Sequence, residues 1–304
     1  MSENPVAKII IDPSAWGFLD LAITKITSND EICASFANYL ERGFNGDMSY
    51  LERNVDKRSD PSLLVEGAQT IICFLAPYGP SGGGVAGFAQ GEDYHTVIRR
   101  RLHSVMDYLS HKAAAAGLPE FCGRAFSDSA PVFERYWAAR AGLGFIGRNG
   151  FLISPEFGLR TILGEIICNI PYAYFEPHSP LSATSCGDCG RCRSACPSGA
   201  LRWKEDGYSL VDARQCISYR TIESKGSACH GEGLHGWIFG CEECLRACPW
   251  NKDVPSWKEF RKNSDYLVNL DREKWLEMTQ EEFDERFAGS GLTRAGLDRI
   301  KGNI

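Results

Sequence analysis

The chain has 304 residues, and 13 of them are cysteines. Its 33 Lys and Arg against 39 Asp and Glu give a net charge of −6, which argues against a protein that coats nucleic acid but permits a local basic face. The 43% hydrophobic content is enough for a buried core and excludes an intrinsically disordered chain. The length predicts about two domains.

No segment is typical of a membrane span or an export signal. The apolar run TIICFLAPY at 70–78 is about half of the roughly 18–20 residues that a transmembrane helix needs. The N-terminal segment has one early lysine and a very short apolar run, unlike a secretory signal. We therefore expect a cytoplasmic protein with no membrane partner.

The first 175 residues have the pattern of mixed helices and strands. Apolar residues at helical spacing predict helices over 30–44 and 95–117, and Pro131 is a typical first residue for a third helix that ends at Gly142 or Gly144. A short branched and aromatic run predicts a buried strand at 70–78.

The glycine-rich segment at 81–87 is interpreted as a flexible loop, and residues 151–170 predict two strands joined by a turn at 155–158. Because these elements lack regular βαβ spacing, we expect an α+β fold.

The cysteines divide the chain unevenly. Nine of them fall between residues 186 and 248, after a segment rich in proline and polar residues. We therefore expect three parts: a domain at 1–180, a cysteine-rich domain at 181–255 and a tail at 256–304. The sequence of the tail predicts two short acidic helices, around 275–278 and 282–287.

Two cysteine runs have the spacing of a bacterial ferredoxin. The first, CGDCGRCRSACP at 186–197, is C-x2-C-x2-C-x3-C-P, and the second is Cys216 followed by CEECLRACP at 241–249. In two-cluster ferredoxins the fourth cysteine of a run ligates the other [4Fe–4S] cluster. This rule assigns one cluster to Cys186, Cys189, Cys192 and Cys248, and the other to Cys196, Cys216, Cys241 and Cys244.

Zinc is the alternative metal, because two C-x2-C pairs also suit a tetrahedral site with four sulfur ligands. Two sets of four cysteines, each with a terminal Cys-Pro, fit zinc poorly. Iron–sulfur clusters pass single electrons, and a plain ferredoxin would not need the 180 residues that precede the first run. We therefore expect the N-terminal domain to receive the electrons.

No nucleotide-binding signature identifies the electron acceptor. No G-x-G-x-x-G turn follows a strand, and SGGG at 81–84 lacks the lysine and hydroxyl residue of a phosphate loop. The N-terminal domain must then hold an organic redox cofactor without a short signature, or a substrate directly.

Several longer motifs resemble the epoxyqueuosine reductase family. They are FSDSAPVFERYWAARAGLGFIGRNGFLI (126–153), LGEI (163–166), CISYRTIESKG (216–226), GCEECLRACPWN (240–251), MSYLERN (48–54), KRSDP (57–61) and GEDYH (91–95). The resemblance implies a nitroreductase-like domain that binds cobalamin, followed by a ferredoxin-like domain with two [4Fe–4S] clusters and a short helical tail. The chain resembles short members of this family, which lack the C-terminal helical-repeat domain.

The reaction implied by the resemblance is the last step of queuosine biosynthesis. A two-electron reduction removes the epoxide oxygen from epoxyqueuosine at the tRNA wobble position, with electrons passing through the clusters to cobalamin. The implied partners are tRNA and an external low-potential electron donor, and we expect a monomer. Whether cobalt attacks an epoxide carbon or only passes electrons stays open.

The family's proton donor falls on Asp128 in the SDSAP motif. A carboxylic acid donates a proton at neutral pH when burial raises its pKa, and Trp137 with the AGLGF turn at 141–145 would provide such surroundings. From the sequence alone, Asp128 could instead cap the turn into the helix that opens at Pro131.

The family's cobalamin contacts fall on Arg53, Tyr94, Asp128, Asn149 and Ser218, although Arg53 could be a surface arginine and Tyr94 a packing residue. Candidate contacts for tRNA phosphates are basic side chains, namely Lys57, Arg58, Arg99, Arg100, Arg101, Arg191, Arg193 and Lys225. Cys33, Cys73 and Cys122 are interpreted as core residues, and Cys229 is left over.

Three segments depart from the family pattern. Residues 87–91 replace an Arg-Tyr-Ala-Arg-Gly run, 148–150 read Arg-Asn-Gly where Lys-Asn-Thr is usual, and 159–162 replace a serine and paired aromatic residues. Two other functions are kept as alternatives. One is a related corrinoid iron–sulfur reductase of a small molecule, similar to reductive dehalogenases, and the other is a non-enzymatic electron-transfer protein.

Overall fold

The computed structural model describes residues 8–176, 184–203, 209–225 and 231–304. The α-helices in these residues are α1 (Asp30–Glu41), α2 (Val55–Ser59), α3 (Tyr94–Ala115), α4 (Glu134–Ala141), α5 (Arg191–Ala195), α6 (Ile217–Ile222), α7 (Glu243–Arg246), α8 (Ser264–Val268), α9 (Arg272–Glu277), α10 (Gln280–Phe287) and α11 (Leu297–Gly302). None of the helices in the described residues is long and apolar enough to span a membrane.

The strands in the same residues are β1 (Asp20–Lys25), β2 (Thr70–Pro77), β3 (Gly123–Phe126), β4 (Phe145–Ile146), β5 (Leu152–Ile153), β6 (Thr161–Cys168), β7 (Leu201–Trp203) and β8 (Ser209–Val211). Short 3-10 helices cover Pro13–Trp16, Ser49–Glu52, Pro61–Leu64, Gly87–Ala89, Tyr172–Tyr174, Ala213–Gln215, Glu259–Arg261 and Gly291–Arg294.

A four-stranded antiparallel sheet, in the order β1-β2-β6-β3, forms the centre of the N-terminal part. Every residue of β2 is buried, because helices cover both faces of the sheet. On one face, α3 packs Ile98 and Leu102 against Phe74, and on the other α4 packs Trp137 against Cys73. The predicted strand at 70–78 and the α+β class are confirmed.

Close contact between α3 and the sheet depends on Gly164 in β6. A Cβ at this position would come within 2.6 Å of Cγ2 of Ile98, so a larger residue would push the helix away. The predicted helices over 30–44 and 95–117 are confirmed as α1 and α3.

The third helix begins later than the sequence predicted. Pro131 lies in a turn closed by the hydrogen bond from Val132 N to Ala130 O, and the helix starts only at Glu134, with Phe133 as its N-cap. The two strands predicted within 151–170 are present as β5 and β6, but they pair with different partners, β4 and the main sheet.

The glycine loop, residues 81–87, is not flexible as predicted, because it is pinned to the cysteine-rich part by backbone hydrogen bonds. Ala86 N donates to Phe239 O at 2.9 Å, and Ile238 N donates to Gly84 O at 2.7 Å. Gly87 N also donates to the buried carboxylate of Glu242 at 2.7 Å. Small residues permit this close approach, which the sequence pattern could not distinguish from flexibility.

The tail forms its own apolar cluster and closes onto both other parts. Trp275, Phe283 and Phe287 pack together with Val85 of the glycine loop and with Phe239. The predicted acidic helices are confirmed as α9 and α10. The division into 1–180, 181–255 and 256–304 stays a prediction, and its first boundary lies outside the described residues.

Two of the cysteines predicted to be core residues are not buried. Cys73 lies in the core as expected, but Cys33 is half-buried and Cys122 is exposed. Cys33 Sγ donates to Asn29 Oδ1 at 3.0 Å, and Cys122 precedes β3, which lies at the edge of the sheet. Cys229 lies outside the described residues.

Replacing Trp275 by alanine tests whether the tail contributes to stability. Its side chain is fully buried and stacks on Phe287 with ring centroids 5.6 Å apart, so we expect the free energy of unfolding to fall by about 3–5 kcal/mol. Urea unfolding measures the change. The neighbouring Leu276→Ala change removes an exposed side chain and should cost less than about 0.5 kcal/mol; equal effects of the two changes would contradict the packing described.

Candidate functional site

Four cysteines from distant parts of the cysteine-rich segment surround one cavity. Its empty volume is about 290 Å³, and it is lined by Arg148, Asn149, Ile153, Cys186, Cys189, Cys192, Cys248, Pro249 and Trp250. The structure therefore brings Cys248 to the first cysteine run, as the reciprocal rule predicts.

The other four cysteines are also neighbours of one another. Burial and the nearby thiols of Cys216 and Cys196 raise the pKa of Cys241 to about 12, and burial with the same neighbours also raises the pKa of Cys244. Thiolates placed this close repel each other unless positive charge lies between them. Iron supplies that charge and keeps the ligands deprotonated.

The arrangement suits clusters better than zinc. The thiols of Cys186, Cys189, Cys192 and Cys248 surround a cavity, as a cluster of several irons requires. Arg148 N also donates to Cys186 Sγ at 3.4 Å, and such bonds to sulfur tune the potential of a cluster.

Asp128 lies in the loop between β3 and α4, in an uncommon backbone conformation. Its φ is +53°, which costs a residue with a side chain about 1–2 kcal/mol. Two hydrogen bonds hold it there. Asp128 N donates to Glu134 Oε1 at 2.5 Å, and Tyr94 Oη donates to Asp128 Oδ2 at 2.5 Å. The capping alternative is wrong, because the N-cap of α4 is Phe133.

The predicted burial of Asp128 is also wrong, since 61% of its side chain is exposed. Trp137 and the turn at 141–145 pack into the sheet core instead of over the carboxyl group. The exposed side of Asp128 is the side from which a substrate can reach it.

The groups on the protein side of Asp128 come from α3 and from the segment before it. His95 Nε2 lies 3.8 Å from Asp128 Oδ2, while His95 Nδ1 is 2.6 Å from Asp93 Oδ1. Burial and the charge of Asp128 raise the pKa of Tyr94 far above its usual value. Tyr94 therefore keeps its proton and acts as a hydrogen-bond donor.

Arg58 belongs to this site and not to the outer surface. The sequence suggested a tRNA phosphate contact, but the side chain is only 8% exposed and its Nε has no hydrogen-bond partner within the described residues. Its charge acts on Tyr50, Glu134 and Asp128. The feature of the sequence that could have assigned Arg58 to this site was its place in the KRSDP motif.

Two glutamates beside Asp128 were missed at the sequence level. Glu134 is the first residue of α4, and Glu165 lies in β6, where it is fully buried. Both stand inside the motifs at 126–153 and 163–166, where no role was expected for them. A charged residue inside an otherwise apolar strand such as TILGEIIC was the signal for Glu165.

A short series of side chains connects Asp128 to the second cysteine set. The ring of Phe88 packs against Gly240, the residue before Cys241, and its centroid lies 5.9 Å from that of Tyr94. Tyr94 in turn donates to Asp128. The cysteine set and the acid are therefore separated by two aromatic side chains.

The other predicted cobalamin contacts lie in different surroundings. Arg53 is exposed, and Ser218 is half-buried in α6 beside Cys216. Asn149 lines the cavity of the first cysteine set, and its Nδ2 donates to Cys244 O at 3.5 Å. Their roles toward cobalamin stay predictions.

The arginine triplet on α3 is largely engaged within the protein. Arg101 bonds Glu259 at 2.8 Å and stacks over Trp257 at 4.0 Å, so the tRNA contact predicted for Arg101 is wrong. Arg100 lies within 4 Å of both Glu92 and Glu259.

Comparisons with known proteins match two regions of the chain. Residues 185–251 match the 4Fe-4S double cluster binding domain, and residues 58–129 match the family described as epoxyqueuosine reductase QueG, DUF1730. An epoxyqueuosine reductase from Cyclobacterium marinum is 36% identical over 304 residues, covering 96% of this chain and 93% of that protein.

Solved structures share the fold. The epoxyqueuosine reductase from Streptococcus thermophilus has a TM-score of 0.80 at 27% identity, covering 95% of this chain and 77% of that one. An epoxyqueuosine reductase solved with an epoxyqueuosine-modified tRNA-Tyr stem loop also has a TM-score of 0.80, at 26% identity over 96% of this chain and 77% of that one.

The fold and the two cysteine sets define an oxidoreductase with a double [4Fe–4S] domain. The chain belongs to the epoxyqueuosine reductase family, since its relatives match it over almost the whole length.

Iron content tests the reciprocal assignment of the cysteines. The reconstituted chain should hold about eight irons, and Cys186→Ser or Cys248→Ser should each lose about half. A Cys186→Ser/Cys248→Ser double variant should lose no more than either single change, because both residues hold the same cluster. Cys186→Ser/Cys196→Ser should lose both clusters.

The matched control for the iron measurement is Cys122→Ser, which changes an exposed cysteine outside both sets and should keep all of the iron. Zinc in place of iron after anaerobic preparation would contradict the assignment. A cluster retained in the Cys186→Ser/Cys196→Ser variant would contradict it as well.

Proposed function

We propose that this chain reduces epoxyqueuosine to queuosine in tRNA, with Asp128 as the proton donor. One observation carries the proposal. The exposed carboxyl of Asp128 is held by Tyr94, and Tyr94 is joined through Phe88 to the loop of Cys241. A site that must deliver both electrons and a proton needs this proximity. The relatives quoted above carry the name epoxyqueuosine reductase, which favours this substrate over a small molecule or a role as an electron carrier.

The residues around Asp128 fit a large cofactor on its open side. Tyr50 is exposed near Asp128, while the aromatic rings of Tyr94 and Phe88 form the floor toward the cysteine set. Arg53, Tyr94 and Ser218 are the residues that would hold cobalamin. When bound, cobalamin and the clusters supply low-potential electrons to the substrate.

The residues of the chain itself position and move the proton. Tyr94 Oη donates to Asp128 Oδ2 and orients the carboxyl, while Glu134 fixes its backbone. Asp128 would then give its proton to the departing epoxide oxygen, once the bound cofactor and substrate cover its exposed side. Proton donation of this kind contributes about 100-fold or more to a reaction rate.

The tail and α6 form one edge of the same site. Arg294 bonds Glu223 at 2.6 Å, and both act on the pKa of Tyr50, which burial and the charges of Glu223 and Asp128 raise. We propose that three exposed basic residues contact the tRNA. They are Lys225, which follows α6, and Arg191 and Arg193, which lie in the first cysteine run. With a net charge of −6, tRNA binding should be local and should weaken with salt.

Direct conversion of the modified nucleoside tests the proposal. The anaerobically reconstituted chain is incubated with cobalamin, a low-potential reductant and tRNA that contains epoxyqueuosine, and the digested nucleosides are separated by mass. We expect queuosine, and none when cobalamin is omitted. Absence of queuosine from the complete mixture would refute the proposal.

Replacing Asp128 by asparagine tests the proton donor. Asparagine keeps the size of the side chain but has no acidic proton, so queuosine formation should fall by about 100-fold or more while the iron–sulfur and cobalamin spectra stay unchanged. Asp107→Asn changes an exposed carboxylate on α3 and serves as the control. Unchanged turnover in the Asp128 variant would remove this residue from the reaction.

A further inference from the structure

A tight turn between β4 and β5 carries Arg148 and Asn149 from the N-terminal part of the chain to the two cysteine sets. Gly147 N donates to Phe151 O, and Gly150 N donates to Gly147 O, both at 2.8 Å. Asn149 Oδ1 accepts the N–H of Phe151 at 3.2 Å. Because these bonds lie within the turn, the N-terminal part fixes where the two side chains meet the cysteines.

Arg148 makes two contacts with the first cysteine set. Its backbone N–H donates to Cys186 Sγ at 3.4 Å, and its guanidinium Nη1 donates to Cys189 O at 3.3 Å. The residue is half-buried and lines the cavity of this set together with Ile153 and Trp250. A full positive charge is therefore held beside the first cluster, the one assigned to this set, where apolar side chains keep part of the water away.

The turn of the second cysteine set, residues 241–244, carries acidic side chains instead. Glu242 Oε1 accepts the backbone N–H of Gly87 at 2.7 Å, and burial raises the pKa of Glu242. Glu243 Oε1 lies 3.3 Å from Arg246 Nη1, so this guanidinium offsets part of the charge of Glu243. On this turn and the helix that follows it, carboxyl groups outnumber the guanidinium by two to one.

Other groups near the two sets reduce this contrast only in part. Asp188, in the turn of the first set, is exposed, so solvent and salt screen its charge. In the second set, Ser198 Oγ lies 3.7 Å from Cys196 Sγ, and Asn149 Nδ2 donates to Cys244 O at 3.5 Å. The hydroxyl and the amide are neutral, and neutral donors interact more weakly than a guanidinium does.

The charge beside a cluster changes how readily the cluster accepts an electron. The potential of a [4Fe–4S] cluster depends on its net charge, on hydrogen bonds to its sulfurs and on solvent exposure. Reduction adds one negative charge, which a nearby cation stabilises, and the effect is larger where water is partly excluded. Arg148 should therefore raise the potential of the first cluster, and Glu243 should lower that of the second.

We propose that Arg148 sets the order in which the two clusters are reduced, so that the first electron is held on the first cluster. Each cluster takes up one electron from a low-potential one-electron donor, and no bond to hydrogen forms or breaks. The order of reduction rests on the reciprocal assignment of the cysteines and not on the identity of the substrate.

The consequence for the site rests on the proposed function. The second cysteine set is the one joined to the Asp128 loop, because Phe88 packs against Gly240 and against Tyr94. A chain that holds one electron keeps it on the other cluster. The second cluster is reduced only when the second electron arrives, so the substrate meets a chain that already stores the two electrons that the reaction needs.

A redox titration of the iron–sulfur chain without cobalamin or tRNA, followed by electron paramagnetic resonance, tests the order of reduction. The wild-type chain should show two midpoint potentials, and Cys186→Ser should lose the higher one. Arg148→Met keeps the bulk of the side chain without its charge. It should lower the higher midpoint by about 59 mV, a tenfold change in a one-electron equilibrium. Arg148→Lys keeps the charge and should retain most of the wild-type value.

Two further variants serve as controls. Lys112→Met removes a positive charge from an exposed residue in the last turn of α3 and should leave both midpoints unchanged. Glu243→Gln keeps an oxygen that can accept the Nε1–H of Trp237 but has no charge, so it should raise the lower midpoint. The iron content of each variant is measured first, so that loss of a cluster is distinguished from a shift in its potential.

The wild-type and Cys186→Ser titrations can overturn the inference even if Arg148→Met fails to assemble its first cluster. Equal midpoints in the wild-type chain, or loss of the lower midpoint in Cys186→Ser, would do so. Equal shifts in Arg148→Lys and Arg148→Met would overturn it as well, because the charge would then have no part in the effect. Failure of the wild-type enzyme to form queuosine, with the midpoints as expected, would refute the proposed function and leave the order of reduction in place.

Discussion

The backbone pairing between the glycine loop (residues 81–87) and the loop before Cys241 is the contact on which the site depends. Ala86 and Gly84 bond Phe239 and Ile238, and Gly240 has a φ of +78° at a place where a Cβ would come within 2.6 Å of Cβ of Ala86. No larger residue fits there without displacing one of the two loops. Because the glycine loop leads directly into Phe88, this pairing also fixes the distance between the second cysteine set and Tyr94.

The site places acidic groups at graded depths. Asp128 is exposed, Glu134 is half-buried behind it, and Glu165 is enclosed between sheet and helix. Each step inward makes ionisation less favourable, since water is replaced by apolar side chains. Arg58 is the buried cation next to this series.

Sequence reasoning was strongest where chemistry fixes the spacing. The reciprocal cysteine sets could be predicted because cluster ligation dictates which cysteines share a cluster, and the structure brings Cys248 to the first run. It failed where long-range packing decides. Arg58 and Arg101 looked like surface residues, but contacts with distant segments enclose Arg58 and pair Arg101 with Glu259. The glycine loop looked flexible, because its partners lie about 150 residues further along the chain.

The central claim is that electrons stored in the cysteine-rich part are used at Asp128 to remove one epoxide oxygen. The most direct measurement is a single turnover, in which the cobalamin-loaded chain is reduced, freed of external reductant and mixed with epoxyqueuosine-containing tRNA. Cluster absorbance and nucleosides are then followed together. The account predicts that both clusters reoxidise as about one queuosine forms per chain, since two one-electron clusters hold the two electrons that the reaction needs. Reoxidation without queuosine, or queuosine formed while the clusters stay reduced, would contradict it.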